Sequence, residues 1–273
     1  MSHGGLTRTE RTLRAVAVCS AAALILFLSV PLVAMFWRLL REGRGITPEA
    51  LATLKDAMTL SLVTTAVAML IVLTTGLPLA FFLARRPFPG SRAIDTLVDL
   101  PIVLPPAVAG IALLVAFGRN GLVGRWLATM GVTLGFTTTA VILAQVFVAA
   151  PFFVRAAKSG FQRVDQDLEE AAADLGASPL RTLRTVTFPM ALPSLMAGAV
   201  LAWARALGEF GATIMFAGNF PGVTQTMPLA IYARFGAGDL TSALVLSLVL
   251  LVASIIILFG LRLLAGRSGT AVF

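Results

Sequence analysis

Six long apolar stretches constrain the fold of this chain more than any other feature of its sequence. A helix needs about 20 predominantly apolar residues to cross the hydrocarbon core of a bilayer, where every backbone N–H and C=O must be satisfied within the segment. Only 12% of the 273 residues are charged, against about a quarter in a soluble domain. The sequence therefore predicts an all-α, polytopic membrane protein with six transmembrane helices. The predicted spans cover approximately 15–39, 57–84, 94–117, 136–156, 191–216 and 240–264.

The first apolar stretch is expected to stay in the protein as a membrane anchor. It extends over about 15–37, which is longer than the roughly 7–15 apolar residues of a signal-peptide core, and basic residues rather than a small-residue cleavage site follow it. Cys19, the single cysteine, lies within this stretch. We predict that it is a buried, unreactive thiol.

Prolines interrupt the third apolar stretch, at Pro101, Pro105 and Pro106. Proline lacks a backbone donor and is disfavoured in the interior of a helix. We therefore predict a short interfacial helix followed by a span. Asp95 and Asp99 lie near the start of this stretch. We interpret them as complements to the positive end of the helix dipole.

The distribution of basic residues predicts the orientation of the chain. Cytoplasmic loops of membrane proteins carry an excess of Lys and Arg, and placing both termini in the cytoplasm puts the larger share of the 21 basic residues there. The basic residues are distributed as in a membrane protein, so the net charge of +8 does not indicate a nucleic-acid partner. The predicted organisation is a cytoplasmic N-terminal tail (1–14), a first helix with an outer loop (15–56), a five-helix core (57–264) with a cytoplasmic loop (157–192), and a cytoplasmic C-terminal tail (265–273).

A polar segment at 169–189 interrupts the apolar chain and lies within the long predicted cytoplasmic loop. Asp167 is a predicted N-cap with Glu170 three residues later, as in a capping box. Gly176 then marks a helix end, and Ser178-Pro179 opens a second helix. A run of alanines gives the first helix a side with little bulk, which fits a helix that enters a groove. An ordinary solvated helical hairpin is the alternative interpretation.

Arg205 and Glu209 form a second candidate site, inside the fifth predicted span. Residues four apart share a helix face, and a charge at membrane depth is expected to face the protein interior or a wet cavity. One hypothesis is that this face lines an anion pathway, and the other is a structural ion pair. The candidate pathway residues are Arg205, Glu209, Gly208, Thr213 and, in the turn-rich outer loop 218–228, Asn219.

Several function classes are disfavoured by what the sequence lacks. It has no GxxxxGK[ST] motif, so it cannot cradle ATP phosphates by that route. With one histidine and one cysteine, a zinc site, a Ser-His-Asp triad and a cysteine cluster are nearly excluded. An intramembrane enzyme is therefore a weak alternative. An ion-coupled secondary transporter is another, for which Glu209 would be the deep acid.

The spacing of the polar segment resembles a known motif. Glu-Ala-Ala, three residues, Gly, nine residues, then apolar, any, apolar and Pro run from Glu170 to Pro189, as in the EAA loop of ABC importer membrane subunits. The whole chain resembles a type I ABC importer permease. Passages 100–110, 204–213 and 217–232 look like the molybdate permease branch, and the first two are also similar to sulfate/thiosulfate and tungstate permeases.

The resemblance implies a non-catalytic permease in the bacterial cytoplasmic membrane that imports a tetrahedral oxyanion, with molybdate the expected cargo and sulfate, thiosulfate or tungstate the alternatives. It implies as partners a second copy of the permease, two copies of an ABC ATPase that bind ATP and Mg, and an extracytoplasmic oxyanion-binding protein. No cofactor or metal is expected in this chain. The residues implied to couple it to the ATPase are Glu169, Glu170, Ala171, Ala172, Asp174, Gly176 and Pro189.

Overall fold

A computed structural model describes residues 8–42, 48–85 and 88–266 of the protein. Residues 1–7 and 267–273, which belong to the two predicted tails, and 43–47 of the predicted outer loop lie outside these described residues. The described ranges contain helices and connecting turns, and no strand occurs within them. The predicted all-α fold is therefore confirmed for this part of the chain.

Twelve α-helices and one π-helical turn follow one another through the described residues. Five helical segments, among them the continuous run Pro179–Leu207, are long and apolar enough to cross a membrane, and a sixth span results if the bent pair α3 and α4 counts as one. The elements are α1 (Arg8–Glu42), α2 (Pro48–Arg85), α3 (Ser91–Val103), α4 (Pro106–Phe117), α5 (Gly124–Thr129), α6 (Thr138–Gln162), α7 (Gln166–Asp174), α8 (Pro179–Thr182), the π-turn (Leu183–Thr187), α9 (Phe188–Leu207), α10 (Gly211–Ala217), α11 (Met227–Gly236) and α12 (Leu240–Gly266).

Helices α2, α6 and α9 form the centre of the bundle. Their shared core contains Phe153 and Phe161 of α6, which are almost fully buried, together with small residues such as Ala202 of α9. Small side chains let the helix backbones approach closely, which is how membrane helices gain packing contacts without a hydrophobic driving force.

Helix α1 lies at the periphery, with none of its most apolar window buried, and it packs along α12. Cys19 is exposed on this helix, so the prediction of a buried thiol was wrong. The reason is that α1 packs mainly along α12 among the described helices, so most of its apolar side chains face outwards.

The third and fifth predicted spans are both broken. The helix direction bends by 118° between α3 and α4. Helix α4 alone, at 12 residues, is about 18 Å long, which is shorter than the hydrocarbon core. The prediction of two helical pieces here is confirmed, but the second piece does not cross alone. The predicted continuous helix at 191–216 was wrong, because α9 ends at Leu207 and α10 begins at Gly211.

The two broken elements pack against each other through glycine. A Cβ at Gly110 of α4 would lie 2.6 Å from the carbonyl oxygen of Ala212, and a Cβ at Gly211 of α10 would lie 2.4 Å from Cβ of Pro106. Such distances are too short for any side chain. The absence of a side chain at both positions therefore allows α4 and α10 to meet backbone to backbone.

Candidate functional site

The polar segment folds into a helical hairpin, made of α7, a tight turn and α8. Asp165 caps α7, and its side chain accepts a hydrogen bond from the amide of Asp167 at 3.1 Å. The prediction that Asp167 is the cap was wrong by two residues, because Asp165 already has the extended backbone that a cap requires.

The turn of the hairpin is built as its sequence predicts. Gly176 has a φ of +84°, a conformation that favours glycine, and its amide donates to the carbonyl of Ala173 at 2.8 Å. The Ser178 side chain caps α8 by accepting from the amide of Arg181 at 3.4 Å, and Pro179 occupies the first turn. The predicted helix end and helix start are both confirmed.

Glu169 points from α7 into the bundle. One carboxylate oxygen accepts a hydrogen bond from Nη2 of Arg85, at the end of α2, over 2.7 Å. The same oxygen accepts the hydroxyl proton of Thr187, in the π-turn before α9. Ala172, three residues further along α7, is half-buried on the same side. Arg85 and Glu169 are 84 residues apart in the sequence, so no local sequence pattern indicates their contact. The sequence analysis therefore missed it.

The other predicted coupling residues face away from the bundle. Glu170, Ala171, Asp174 and Gly176 are exposed, and so is Pro189 at the start of α9. Leu175 at the tip of the hairpin is a large apolar side chain that is 89% exposed. The hairpin thus has an inner side that contains Glu169 and an outer side with acids, alanines and an apolar tip.

Two further ion pairs connect α3 to α6 near this end. Lys158 Nζ lies 2.7 Å from a carboxylate oxygen of Asp95, and Arg155 Nε lies 2.5 Å from Oδ1 of Asp99. The two acids lie beyond the first turn of α3, so the interpretation as complements to the helix dipole was wrong. They bind cations of a neighbouring helix instead.

Arg205 and Glu209 meet where α9 gives way to α10. Arg205 Nη1 lies 2.5 Å from Oε2 of Glu209, and the side chain of Glu209 is only 1% exposed. Oε1 of Glu209 accepts a hydrogen bond from the amide of Ala212 at 2.7 Å. The carboxylate therefore links the last turn of α9 to the first turn of α10 across the break at Gly208.

Thr213 and Asn219 have different surroundings, although both were predicted to belong to the pathway. Thr213 is fully buried in α10, and its hydroxyl has no hydrogen-bond partner among the described residues. The Asn219 side chain donates to the carbonyl of Leu229 at 3.2 Å and accepts from Gln225 at 3.0 Å. Asn219 thus braces the loop before α11.

The hairpin and this loop lie at opposite ends of the bundle. The hydroxyl of Thr138, at the start of α6, donates to the carbonyl of Val223 in the loop at 2.8 Å. The hairpin follows Gln162 at the end of α6, and 25 helical residues extend about 37 Å. The hairpin and the loop are thus separated from each other by a distance that can cross a bilayer.

Sequence reasoning also missed a row of buried polar side chains between α2, α6 and α11. Gln145 donates to the hydroxyl of Thr65 at 3.2 Å, and Ser61 accepts from the amide of Met227 at 2.8 Å. Ser61 and Thr65 are four residues apart on α2, and that spacing within an apolar helix is the signal that would have found them. Among the residues described, no group of three His, Cys, Asp or Glu side chains is placed to hold a metal.

The architecture defines the class of protein. A chain of a bacterial alginate ABC transporter, solved in complex with an alginate-pentasaccharide-bound periplasmic protein, superposes with a TM-score of 0.76 at 16% identity, over 95% of this chain and 96% of that one. The fold is therefore that of an ABC importer permease. Residues 76–269 match the family described as the binding-protein-dependent transport system inner membrane component. The chain belongs to this family, and it is a multi-pass transport subunit of a membrane rather than an enzyme.

Two curated relatives show where in the family the chain lies. The molybdenum transport system permease protein ModB of Mycobacterium tuberculosis (strain H37Rv) is 42% identical over 248 residues, which are 88% of this chain and 90% of the relative. The probable sulfate transport system permease protein cysT of Chlorokybus atmophyticus is 37% identical over 227 residues, 83% of this chain and 76% of the relative. The molybdenum-type relative is the more similar of the two and is covered over more of its length.

Proposed function

We propose that this chain is the permease subunit of an ATP-driven ABC importer and that it moves molybdate into the cytoplasm. The observation that carries the proposal is the 42% identity to ModB over nine tenths of that protein. The passages around Arg205 and Asn219, which resemble molybdate permeases in sequence, lie in one connected region of the fold, from the break after α9 to the loop before α11. The sulfate-type alternative is less favoured, because the sulfate-type relative matches at lower identity over less of its length.

The proposed assembly contains two copies of this chain, two ABC ATPase subunits and an extracytoplasmic binding protein for the oxyanion. ATP and Mg bind to the ATPase subunits, because this sequence has no phosphate-binding loop. Both termini and the hairpin lie in the cytoplasm, in agreement with the excess of basic residues on that side. The alginate importer solved with its periplasmic protein supports a carrier that docks at the opposite end.

The proposed ATPase contact is the outer side of the hairpin. Its exposed acids offer negative charge to a basic groove, its alanines allow close approach, and the exposed Leu175 offers an apolar anchor. The turn at Gly176 fixes the direction in which this surface projects. The residues that we propose for the contact are Glu170, Ala171, Asp174, Gly176 and Pro189, with the half-buried Ala172 at the edge of this surface.

The proposed pathway passes the break between α9 and α10. The Arg205 side chain stays 29% exposed while the Glu209 side chain is 1% exposed, so Arg205 presents positive charge and Glu209 holds it in place. A partly exposed guanidinium at this depth attracts an oxyanion. Gly208 lies in the break between the two helices, and the buried hydroxyl of Thr213 has no hydrogen-bond partner among the described residues.

In the proposed cycle, ATP closes the ATPase dimer and the two hairpins move with it. The spans then open towards the carrier protein, which releases its oxyanion into the cavity between the two permeases. Hydrolysis of ATP returns the assembly to the inward-facing state.

The cargo is tested by competition in vesicles that contain the complete assembly. We expect ATP-dependent uptake of radiolabelled molybdate, with unlabelled molybdate the best competitor and sulfate a poor one. Isothermal titration of the binding protein with molybdate, tungstate and sulfate supplies the control on carrier selectivity. Uptake of sulfate in preference to molybdate would contradict the assignment.

A further inference from the structure

The hairpin is attached to the rest of the molecule more loosely than the neighbouring helices. Helix α7 contains no buried residue, and a cavity of about 530 Å³ lies between it and the end of α2. The cavity is lined by Phe81 and Phe82 of α2, by Leu180 and by Leu183. Apolar packing therefore joins α7 to the bundle over a small area.

The carboxylate of Glu169 bridges this weakly packed junction. Its contact with Arg85 is well shielded from water, since the side chains are 12% and 23% exposed for Arg85 and Glu169. Charge-assisted hydrogen bonds are roughly twice as strong as neutral ones, and shielding from solvent increases the interaction further. The ion pair thus carries much of the connection between α7 and α2.

The same carboxylate also reaches the base of α9 through Thr187. Thr187 is 2% exposed and belongs to the π-turn Leu183–Thr187, a local geometry that is frequent at functional sites. Helices α2 and α9 both belong to the central core of the bundle. One side chain of the hairpin is consequently bonded to two of the helices that form that core.

We propose that Glu169 is a positioning residue that ties the hairpin to α2 and α9, so that motion of the hairpin passes into both spans together. Glu169 then has no docking role, in contrast to its exposed neighbour Glu170. The proposal rests on the proposed function, since it assigns how force from the ATPase enters the permease. It assigns to Glu169 a role different from the ATPase contact that the sequence analysis expects of both glutamates.

The test compares Glu169→Gln with Glu170→Gln in the complete reconstituted assembly. Both variants remove one negative charge from the same short helix, and only one breaks the tie. For Glu169→Gln we expect a permease that stays folded and co-purifies with the ATPase, while the oxyanion transported per ATP hydrolysed falls about tenfold. For Glu170→Gln we expect weaker ATPase co-purification and an unchanged transport ratio for the complexes that form.

Exchanging the charges of Arg85 and Glu169 tests whether the ion pair itself sets the ratio of transport to ATP hydrolysis. Arg85→Glu alone is expected to uncouple hydrolysis from transport, and the double variant Arg85→Glu/Glu169→Arg is expected to recover most of the transport ratio, because the pair is restored in the opposite sense.

The proposal is overturned if Glu169→Gln keeps the wild-type transport ratio, or if it loses the ATPase while Glu170→Gln keeps it. A failure of the proposed function is seen separately, because the wild-type chain would then neither co-purify with the ATPase nor transport.

Discussion

The two ends of the bundle use their polar residues in opposite ways. At the hairpin end, acids and a leucine on α7 and its turn point away from the protein, and α7 buries no residue. At the loop end, the side chains of Asn219, Thr224 and Gln225 form hydrogen bonds within the loop and with the first turn of α11. The first arrangement leaves binding capacity for a partner, and the second produces a rigid surface.

Substitutions at the two ends of the bundle should therefore have different effects. Substitutions around α4, α10 and the break after α9 should lower the stability of the permease itself. Substitutions on the outer side of the hairpin should lower binding of the ATPase while the permease stays folded. Four substitutions test this contrast, and they follow in order of decreasing expected effect.

Glu209→Ala is expected to have the largest effect on stability. It leaves Arg205 without its partner and the amide of Ala212 without its acceptor, and removing one partner of a buried ion pair costs about 3 kcal/mol. Thermal unfolding in detergent should show the loss. Glu170→Ala is the control, because it removes an exposed glutamate; equal unfolding temperatures for the two variants would contradict the contrast.

Gly110→Val should also destabilise the loop end, by about 2 kcal/mol. The new side chain would enter the space taken by the backbone of Ala212 and by Met215. Gly260→Val is the matched control, since a Cβ at Gly260 of α12 meets no atom within 4 Å. The contact between α4 and α10 would be less tight than described if Gly110→Val unfolded at the temperature of the wild type.

Gly176→Val should weaken the ATPase contact with little effect on the bundle. A valine at φ +84° is strained by about 1–2 kcal/mol, and relief of that strain changes the direction of the hairpin tip. Gly176→Asn tests this cause, because asparagine tolerates a positive φ. Affinity for the ATPase should fall about tenfold for the valine variant and much less for the asparagine variant, as measured by co-purification or titration.

The smallest expected effect is that of Asp239→Asn, at the start of α12. The side chain and backbone amide of Ser242 donate to this carboxylate and hold the pKa of Asp239 below its ordinary value. Because its pKa is lower in the folded state, the Asp239 carboxylate stabilises the fold at pH values above its ordinary, unfolded-state pKa. This contribution is lost as the pH falls through the folded-state pKa. The variant removes a negative charge from the N-terminus of α12 and should lose about 0.5 kcal/mol at neutral pH, since solvent screens this exposed site.

A pH series checks that sign. The difference in unfolding free energy between the wild type and Asp239→Asn should shrink towards zero in acid. A difference that grows on acidification would show that the carboxylate does not act in its charged form.

The sequence predicted those features that depend on local chemistry. The length of the apolar stretches predicted the spans, and Gly176 with Ser178-Pro179 predicted the corner of the hairpin. The break after Leu207 was missed, because the apolar stretch continues through it and the break depends on packing of Gly211 against Pro106 of α4. The orientation of Glu169 was missed for a similar reason, since its partner Arg85 is distant in the chain.

The central claim is that this chain transports only when a separate ATPase drives it through the hairpin. Its most direct test is molybdate uptake into vesicles that contain the permease and its binding protein, with and without the ATPase and ATP. We predict uptake that requires both the ATPase and ATP and is unaffected when ion gradients are collapsed. Uptake by the permease without the ATPase, driven by a proton or sodium gradient, would contradict the account.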